Sequence, residues 1–213
     1  GAPLPNPANP GGPNWGRAPI EGGRQIAVMA VSRLPTVVQL IPRADFQRRR
    51  AAEEGGELDR EYTAQAGAPY GMGRFDLWNP RTGYPCLEGP WGELVAIDLM
   101  RGGILWRRPL GAYRAEGPFA KAADWGSLPG GGPVATQGGL IVIATPADRR
   151  LRAYDTRTGA EVWTVETPAA VHATPMIYRF GDHWYVLAAA GGRQQGTDMP
   201  GDYLLAYRLE ALR

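Results

Sequence analysis

Few side chains in this sequence stand at spacings that could do chemistry. His172 and His183 are the two histidines, eleven residues apart. That is too far for the close pair of a metal-binding helix, and both read as surface or packing residues. Asp76, Asp198 and Asp202 fall in turn-rich stretches that could face a channel, with nothing in the sequence to pair them. Cys86 is the single cysteine, so neither an intramolecular disulfide nor a cysteine-based metal site can form. Beside Pro85 it reads as buried and inert. Gly191-Gly192 followed by Gly196 lacks the Lys-Ser/Thr and the helix of a phosphate loop. Asn14-Trp15-Gly16 ends a Pro/Gly/Asn-rich segment, and its asparagine offers both a hydrogen-bond donor and an acceptor. These residues assign no catalytic group and no metal ligand. Arg48-Arg49-Arg50, and Arg149-Arg150 with Arg152, read as solvated surface because no stacking aromatics interleave them. With a net charge of +2, no nucleic-acid partner is expected.

The elements that must position these residues are strands. The 213 residues are 44% hydrophobic, enough to bury a core. Thirty glycines and 20 prolines argue for many short strands joined by turns and against a helical bundle. QIAVMAV (25–31) and TVVQLIP (36–42) are short β-branched runs and predict strands. Residues 44–67 are densely charged and read as a short helix broken at Gly55-Gly56 or as a mobile excursion. Residues 68–92 read as an ordered loop packed by Tyr70, Phe75, Trp78 and Trp91. From residue 93 strands recur about every 10 residues: ELVAID, ILWRRP, LIVIAT, LRAYD, EVWTVE, ATPMIY, WYVLAAA and YLLAYRL. No apolar run is long enough to cross a bilayer and no signal peptide is visible. Both signals would lie upstream if the chain is a fragment.

One repeat specifies the architecture. Ala96-x-Asp98-x-x-x-Gly102-x-x-x-Trp106 matches Ala153-x-Asp155-x-x-x-Gly159-x-x-x-Trp163 at a constant offset of 57 residues. The alanine leaves room for a neighbouring sheet. The aspartate bonds backbone N–H groups of the following turn, and the glycine supplies a positive φ. The tryptophan on the return strand is a plate that can wedge between sheets. A fixed internal period predicts repeated sheets, as in a propeller.

This pattern resembles the tryptophan-docking motif of quinoprotein alcohol and glucose dehydrogenases. NWG (14–16), SRLPTVVQLIPR (32–43), PYGM (69–72), PCLEGPWGELVAIDL (85–99), TPADRRLRAYDTRTGAEVW (145–163), ATPMIY (173–178) and GDYLLAY (201–207) are similar, in the same order, to the C-terminal part of membrane-bound glucose, polyol and quinate dehydrogenases that use pyrroloquinoline quinone (PQQ). The resemblance implies an all-β fold, part of an eight-bladed propeller with about three blades. Residues 1–213 would be one C-terminal propeller segment, with 44–67 a polar insertion between blades. It implies PQQ with calcium or magnesium as cofactors, a sugar or polyol substrate, and a quinone or cytochrome electron acceptor. The rest of the propeller would be a partner. It implies a periplasmic place, associated with the inner membrane through a missing N-terminal region.

The family's catalytic aspartate, metal ligands and most cofactor contacts map to no residue here. Asn14 and Trp15 are the two positions that carry over, Asn14 as a hydrogen-bond partner of a quinone oxygen or carboxylate and Trp15 flanking the site. Two alternatives stand beside this reading: a cofactor-free scaffold propeller and an inactive truncated remnant. Both docking tryptophans are expected to be buried. YLLAYRL aligns with LRAYD, so the last sheet is expected to lack its tryptophan strand, leaving residues 203–209 as an exposed edge.

Overall fold

The structure, a computed structural model, describes residues 12–13, 16, 18–53, 60–79, 81–113, 124–191 and 201–209. Along the chain these form β1 (Ile20–Glu21), β2 (Ile26–Ser32), β3 (Thr36–Pro42), α1 (Arg43–Glu53), β4 (Glu61–Thr63) and β5 (Tyr70–Asp76). Then come β6 (Gly92–Asp98), β7 (Gly103–Pro109), β8 (Val134–Ala135), β9 (Leu140–Thr145), β10 (Arg150–Asp155) and β11 (Glu161–Glu166). The series ends with β12 (Met176–Phe180), β13 (His183–Ala190) and β14 (Tyr203–Leu209). Every pairing is antiparallel. Two compact units separate, one drawn from residues 33–88 and the other from 12–32 and 89–213.

The larger unit holds three sheets, ordered β1-β2-β6-β7, β8-β9-β10-β11 and β12-β13-β14. Their cores explain the apolar runs. Ile141 and Ile143 join Ile26, Val28, Leu94 and Ala96 in one cluster, while Val142 and Ala144 join Leu151, Ala153, Val186 and Ala188 in a second. Strand β9 is therefore covered on both faces, which is why LIVIAT shows no polar alternation.

The repeat takes the same shape twice. Ala96 stands opposite Trp106 and Ala153 opposite Trp163, and each register slips immediately after the alanine. Such a bulge leaves one residue unpaired, here Leu105 and Val162, both exposed. Asp98 Oδ1 accepts the N–H groups of Met100 and Arg101, and Asp155 Oδ1 those of Arg157 and Thr158. Gly102 and Gly159 sit at φ 71° and 68°, as the turn requires. Trp106 reaches the following sheet: its indole N–H donates to Thr156 O at 2.9 Å. Its ring presses on Gly159, where a Cβ would lie 2.7 Å from Trp106 Cδ2. Trp163 meets Tyr207 of the third sheet edge-on at 5.6 Å. Both tryptophans are partly buried rather than fully buried, because each lies on the outermost strand of its sheet. The third sheet has three strands among the described residues, and β14 is its edge.

The smaller unit corrects the reading of 68–92 as a loop. Residues 70–76 form the central strand of a sheet ordered β3-β5-β4, with α1 against it. Phe46 of α1 is buried over Gly71, where a Cβ would stand 2.1 Å from Phe46 Cδ2. Asp45 near the helix start and Arg50 near its end suit the helix dipole. The 44–67 stretch contributes most of α1 and all of β4 to this unit. It belongs to a wider excursion that leaves the first sheet after Ser32 and rejoins it at Gly92. No helix among the described residues is long and apolar enough to cross a membrane.

Candidate functional site

Asn14 and Trp15 lie outside the described residues. What the structure gives is how their flanks are held. Gly12 forms an isolated antiparallel bridge with Ser32: Gly12 N–H donates to Ser32 O at 2.9 Å, and Ser32 N–H to Gly12 O at 3.2 Å. Gly16 lies so close to the 130–132 loop that a Cβ would stand 2.5 Å from Gly132 Cα. Gly12 and Gly16 are thus each held within the larger unit.

The loop under Gly16 is itself built. Gly130, Gly131 and Gly132 precede β8, and at Gly130 and Gly131 neighbouring loops approach too closely for a side chain. A Cβ on Gly130 would meet Pro146 Cγ at 2.8 Å and His172 Cα at 2.9 Å. On Gly131 it would meet Thr174 N at 2.4 Å. Gly132 N–H donates to Thr174 Oγ1 at 2.9 Å. Three loops therefore meet, each running into the first strand of its sheet: 12–16 toward β1, 130–132 into β8, and 172–174 into β12. His172 and Thr174 are exposed on this junction. The glycine run was visible in the sequence, but its partner is 42 residues downstream, and no local pattern links them.

A buried ionic cluster braces the same region. Arg152, 8% exposed, donates to Asp148 at 2.5 Å, to Glu161 at 3.2 Å and to the Thr145 hydroxyl. Asp148 Oδ2 also accepts Ala112 N–H at 3.1 Å, tying the chain after β7 to the turn before β10. Burial of Arg152 works against its charge. That burial is the largest single influence, but the Asp148 hydrogen bond together with the nearby charges of Asp148 and Glu161 outweighs it and holds the pKa above the ordinary arginine value. Arg152 is therefore not solvated surface. Two carboxylates, neither adjacent to it in sequence, make its burial tolerable. Tyr154 is pushed well above the usual tyrosine range, chiefly by burial.

The remaining candidates scatter. Asp76 is not an unpaired loop residue: it ends β5 and accepts the Thr36 hydroxyl at 2.6 Å. Cys86 is exposed, contrary to the sequence reading. Trp78 and Pro85 bridge antiparallel there, so Pro85 turns inward and its neighbour turns out. Arg48 pairs with Asp45 on the exposed side of α1, and half-buried Arg49 pairs with half-buried Glu53. His183 and Asp202 are exposed, His183 on a cleft of about 1090 Å³ that it shares with Trp184, Leu140 and Ile177. Asp198, Gly192 and Gly196 lie outside the described residues. Among the described residues, no three carboxylate, imidazole or thiolate groups converge to hold a metal ion.

Comparison with known proteins gives this geometry a family. Residues 2–186 match the model of the glucose/ethanol/alcohol dehydrogenase β-propeller domain of the PQQ proteins. The quinoprotein glucose dehydrogenase of Escherichia coli is 33% identical over 210 residues, covering 95% of this chain and 26% of that protein. The quinate/shikimate dehydrogenase (quinone) of Acinetobacter baylyi is 33% identical over 213 residues, covering 96% of this chain and 26% of its own. The chain thus spans about a quarter of these relatives' length. Among solved structures, a europium-containing methanol dehydrogenase superposes with a TM-score of 0.56 at 19% identity, covering 84% of this chain and 25% of that one. This last likeness concerns the fold. With its antiparallel sheets, its twice-built docking motif and a family match over most of its length, the chain belongs to the PQQ-dependent dehydrogenase β-propeller family.

Proposed function

We propose that this chain is the C-terminal portion of a PQQ-dependent dehydrogenase that oxidises a sugar or polyol and passes electrons to a quinone pool. The observation that supports the reading is the junction of Gly16 with the 130–132 and 172–174 loops, because Gly16 belongs to the one motif that the family resemblance associates with the cofactor region. In a propeller the first strand of each sheet lies toward the central channel, so loops entering β1, β8 and β12 gather at one mouth of it. Two relatives, named for glucose and for quinate/shikimate with a quinone, support a polyhydroxylated substrate and a quinone acceptor.

The junction fits one wall of a site for a flat, carboxylated ring. Gly12, at φ 70°, has nothing among the described residues within 4 Å of where a Cβ would stand, and bare backbone of this kind admits close approach of a planar ligand. When bound, PQQ supplies the hydride acceptor, and its calcium or magnesium ion a Lewis acid. Asn14 would hold a quinone oxygen or carboxylate through its amide, and Trp15 would flank the site. The Gly12–Ser32 bridge and the Gly16–Gly132 contact hold the described residues on either side of that pair. The general base and the metal ligands come from outside this chain. The protein works in the periplasm, associated with the inner membrane through a region outside these residues.

The test is reconstitution of the complete protein with PQQ and Ca²⁺ or Mg²⁺, assayed with glucose, glycerol and quinate and a redox dye. PQQ-dependent turnover with at least one of them is expected. Absence of PQQ-dependent turnover with all three contradicts the reading. The 213-residue chain alone should give the blank rate, because no base–substrate constellation is assigned within it.

A further inference from the structure

We infer that the turn of the first sheet at residues 98–103 is an open docking seat, built to take the indole of a tryptophan from a further sheet of the complete protein. It rests on the reading of this chain as a portion of a larger propeller. Trp106 docks on the turn of the next sheet, at Thr156 O and Gly159. The 57-residue offset puts the corresponding seat of the first sheet at Leu99 O and Gly102. Both seats are framed alike. Leu99 N–H donates to Gln25 O at 3.0 Å and Thr156 N–H to Gly139 O at 2.8 Å, each tying its turn to the first hairpin turn of its own sheet. Gly102 N–H donates to Asp98 O and Gly159 N–H to Asp155 O, both at 2.8 Å. Where the seats differ is in what lies on them. A Cβ on Gly159 would stand 2.7 Å from the Trp106 ring, whereas a Cβ on Gly102 has nothing among the described residues within 4 Å.

The rim shows what kind of surface arrives. Around the filled seat stand Thr156, Arg157 and Glu161, and 57 residues earlier stand Leu99, Met100 and Ile104. All three of the latter are exposed, Met100 at 77%. Exposed apolar side chains grouped on one turn mark an interaction surface rather than a solvated turn. The occupant is an indole because the seat repeats the established one: bare glycine backbone for the ring face and a carbonyl, Leu99 O, for the ring N–H. The Met100 thioether suits the edge of such a ring. Neither docking tryptophan of a second copy can fill the seat, because Trp106 already lies on Gly159 and Trp163 against Tyr207. The chain spans about a quarter of its relatives' length, which leaves the complete protein the sequence for a further sheet.

The experiment reads Met100 in the complete protein. Its rate of oxidation by hydrogen peroxide, followed by peptide mass spectrometry, is compared with the rate in denaturant. Covered by a docked ring, Met100 should oxidise about tenfold more slowly than in the unfolded protein, because oxidation follows exposure. A rate within about twofold of the unfolded one overturns the seat. Gly102→Asn tolerates the positive φ but puts a side chain where the ring would lie. It should speed Met100 oxidation about fivefold over wild type, and an unchanged rate also overturns the seat. Photo-methionine incorporated in place of methionine then identifies the occupant. Irradiation should join the Met100 peptide to a tryptophan-bearing peptide of the same polypeptide from outside these 213 residues. A junction to a tryptophan-free peptide, or to a second copy, overturns the assignment. Protection of Met100 in a complete protein that shows no PQQ-dependent turnover supports the seat and removes only the dehydrogenase reading.

Discussion

Removing the indole of Trp106 tests whether the repeat is a docking device or two similar hairpins. Trp106 is covered over most of its surface, and a tryptophan in such a place buries roughly 150 Å². At about 25 cal/mol per Å² that is close to 4 kcal/mol, and compactness of the unfolded chain lowers it to about 3. The bond to Thr156 O at 2.9 Å adds about 1 kcal/mol. Trp106→Ala should therefore cost about 3–4 kcal/mol, a shift of roughly 1.5–2 M in urea midpoint at a slope near 2 kcal/mol/M. The sharper reading is the coupling to Gly159. A Cβ there meets the Trp106 ring at 2.7 Å and must also adopt φ 68°. In the wild-type background Gly159→Ala suffers both the ring clash and the left-handed strain, whereas with Trp106→Ala there remain the strain of about 1–2 kcal/mol and a contact with Arg108 Nε at 2.9 Å, from which that flexible side chain can swing away. The double-mutant cycle should show a coupling of about 1–2 kcal/mol. Strict additivity, or a loss under about 1 kcal/mol for Trp106→Ala, would refute the docking contact.

Three further outcomes follow from particular contacts. Phe46→Ala should cost about 3–5 kcal/mol and be seen as lost α1 signal in far-ultraviolet circular dichroism, since Phe46 is the buried residue of that helix. Burial holds the Tyr154 pKa above its unfolded value. Its contribution is thus fully present below about pH 10 and is lost as pH rises further; urea midpoints from pH 8 to 11 should fall more steeply for wild type than for Tyr154→Phe. Strand β14 pairs with β13 on one side and forms the edge of its sheet among the described residues. An edge of that kind recruits other chains, so sedimentation across a concentration series should show association. A concentration-independent monomer would mean that the edge is covered.

The sequence was most legible where the physics is local. The aspartate-capped turns, the glycines at positive φ and the strands from residue 92 onward follow from spacing within a dozen residues. Strand β5 was misread as loop because Gly71 and Gly73 suppress the strand pattern. Those glycines answer to Phe46 and Tyr62, which pack over them from elsewhere in the unit. Cys86 was misplaced because which of two neighbours turns inward depends on the Trp78–Pro85 bridge, a tertiary fact. Arg152 was read as solvent-facing because its carboxylate partners lie four residues before and nine after it. The Asn-Trp-Gly motif rests on family resemblance, and its Asn14 and Trp15 lie outside the described residues. The contacts of Gly16 were not legible, because Gly16, Gly132 and Thr174 come from three loops that meet only when the sheets pack.

The most direct measurement of the central claim is an equilibrium titration of PQQ against the complete protein and its Asn14→Ala variant, with Ca²⁺ or Mg²⁺ present. A bond to a charged or quinone oxygen contributes about 1.5–3 kcal/mol. The account therefore predicts binding to the wild type and an affinity loss of roughly 10- to 150-fold in the variant, with an unchanged melting temperature. Equal affinity in the two proteins, or no PQQ binding by the wild type, would contradict it.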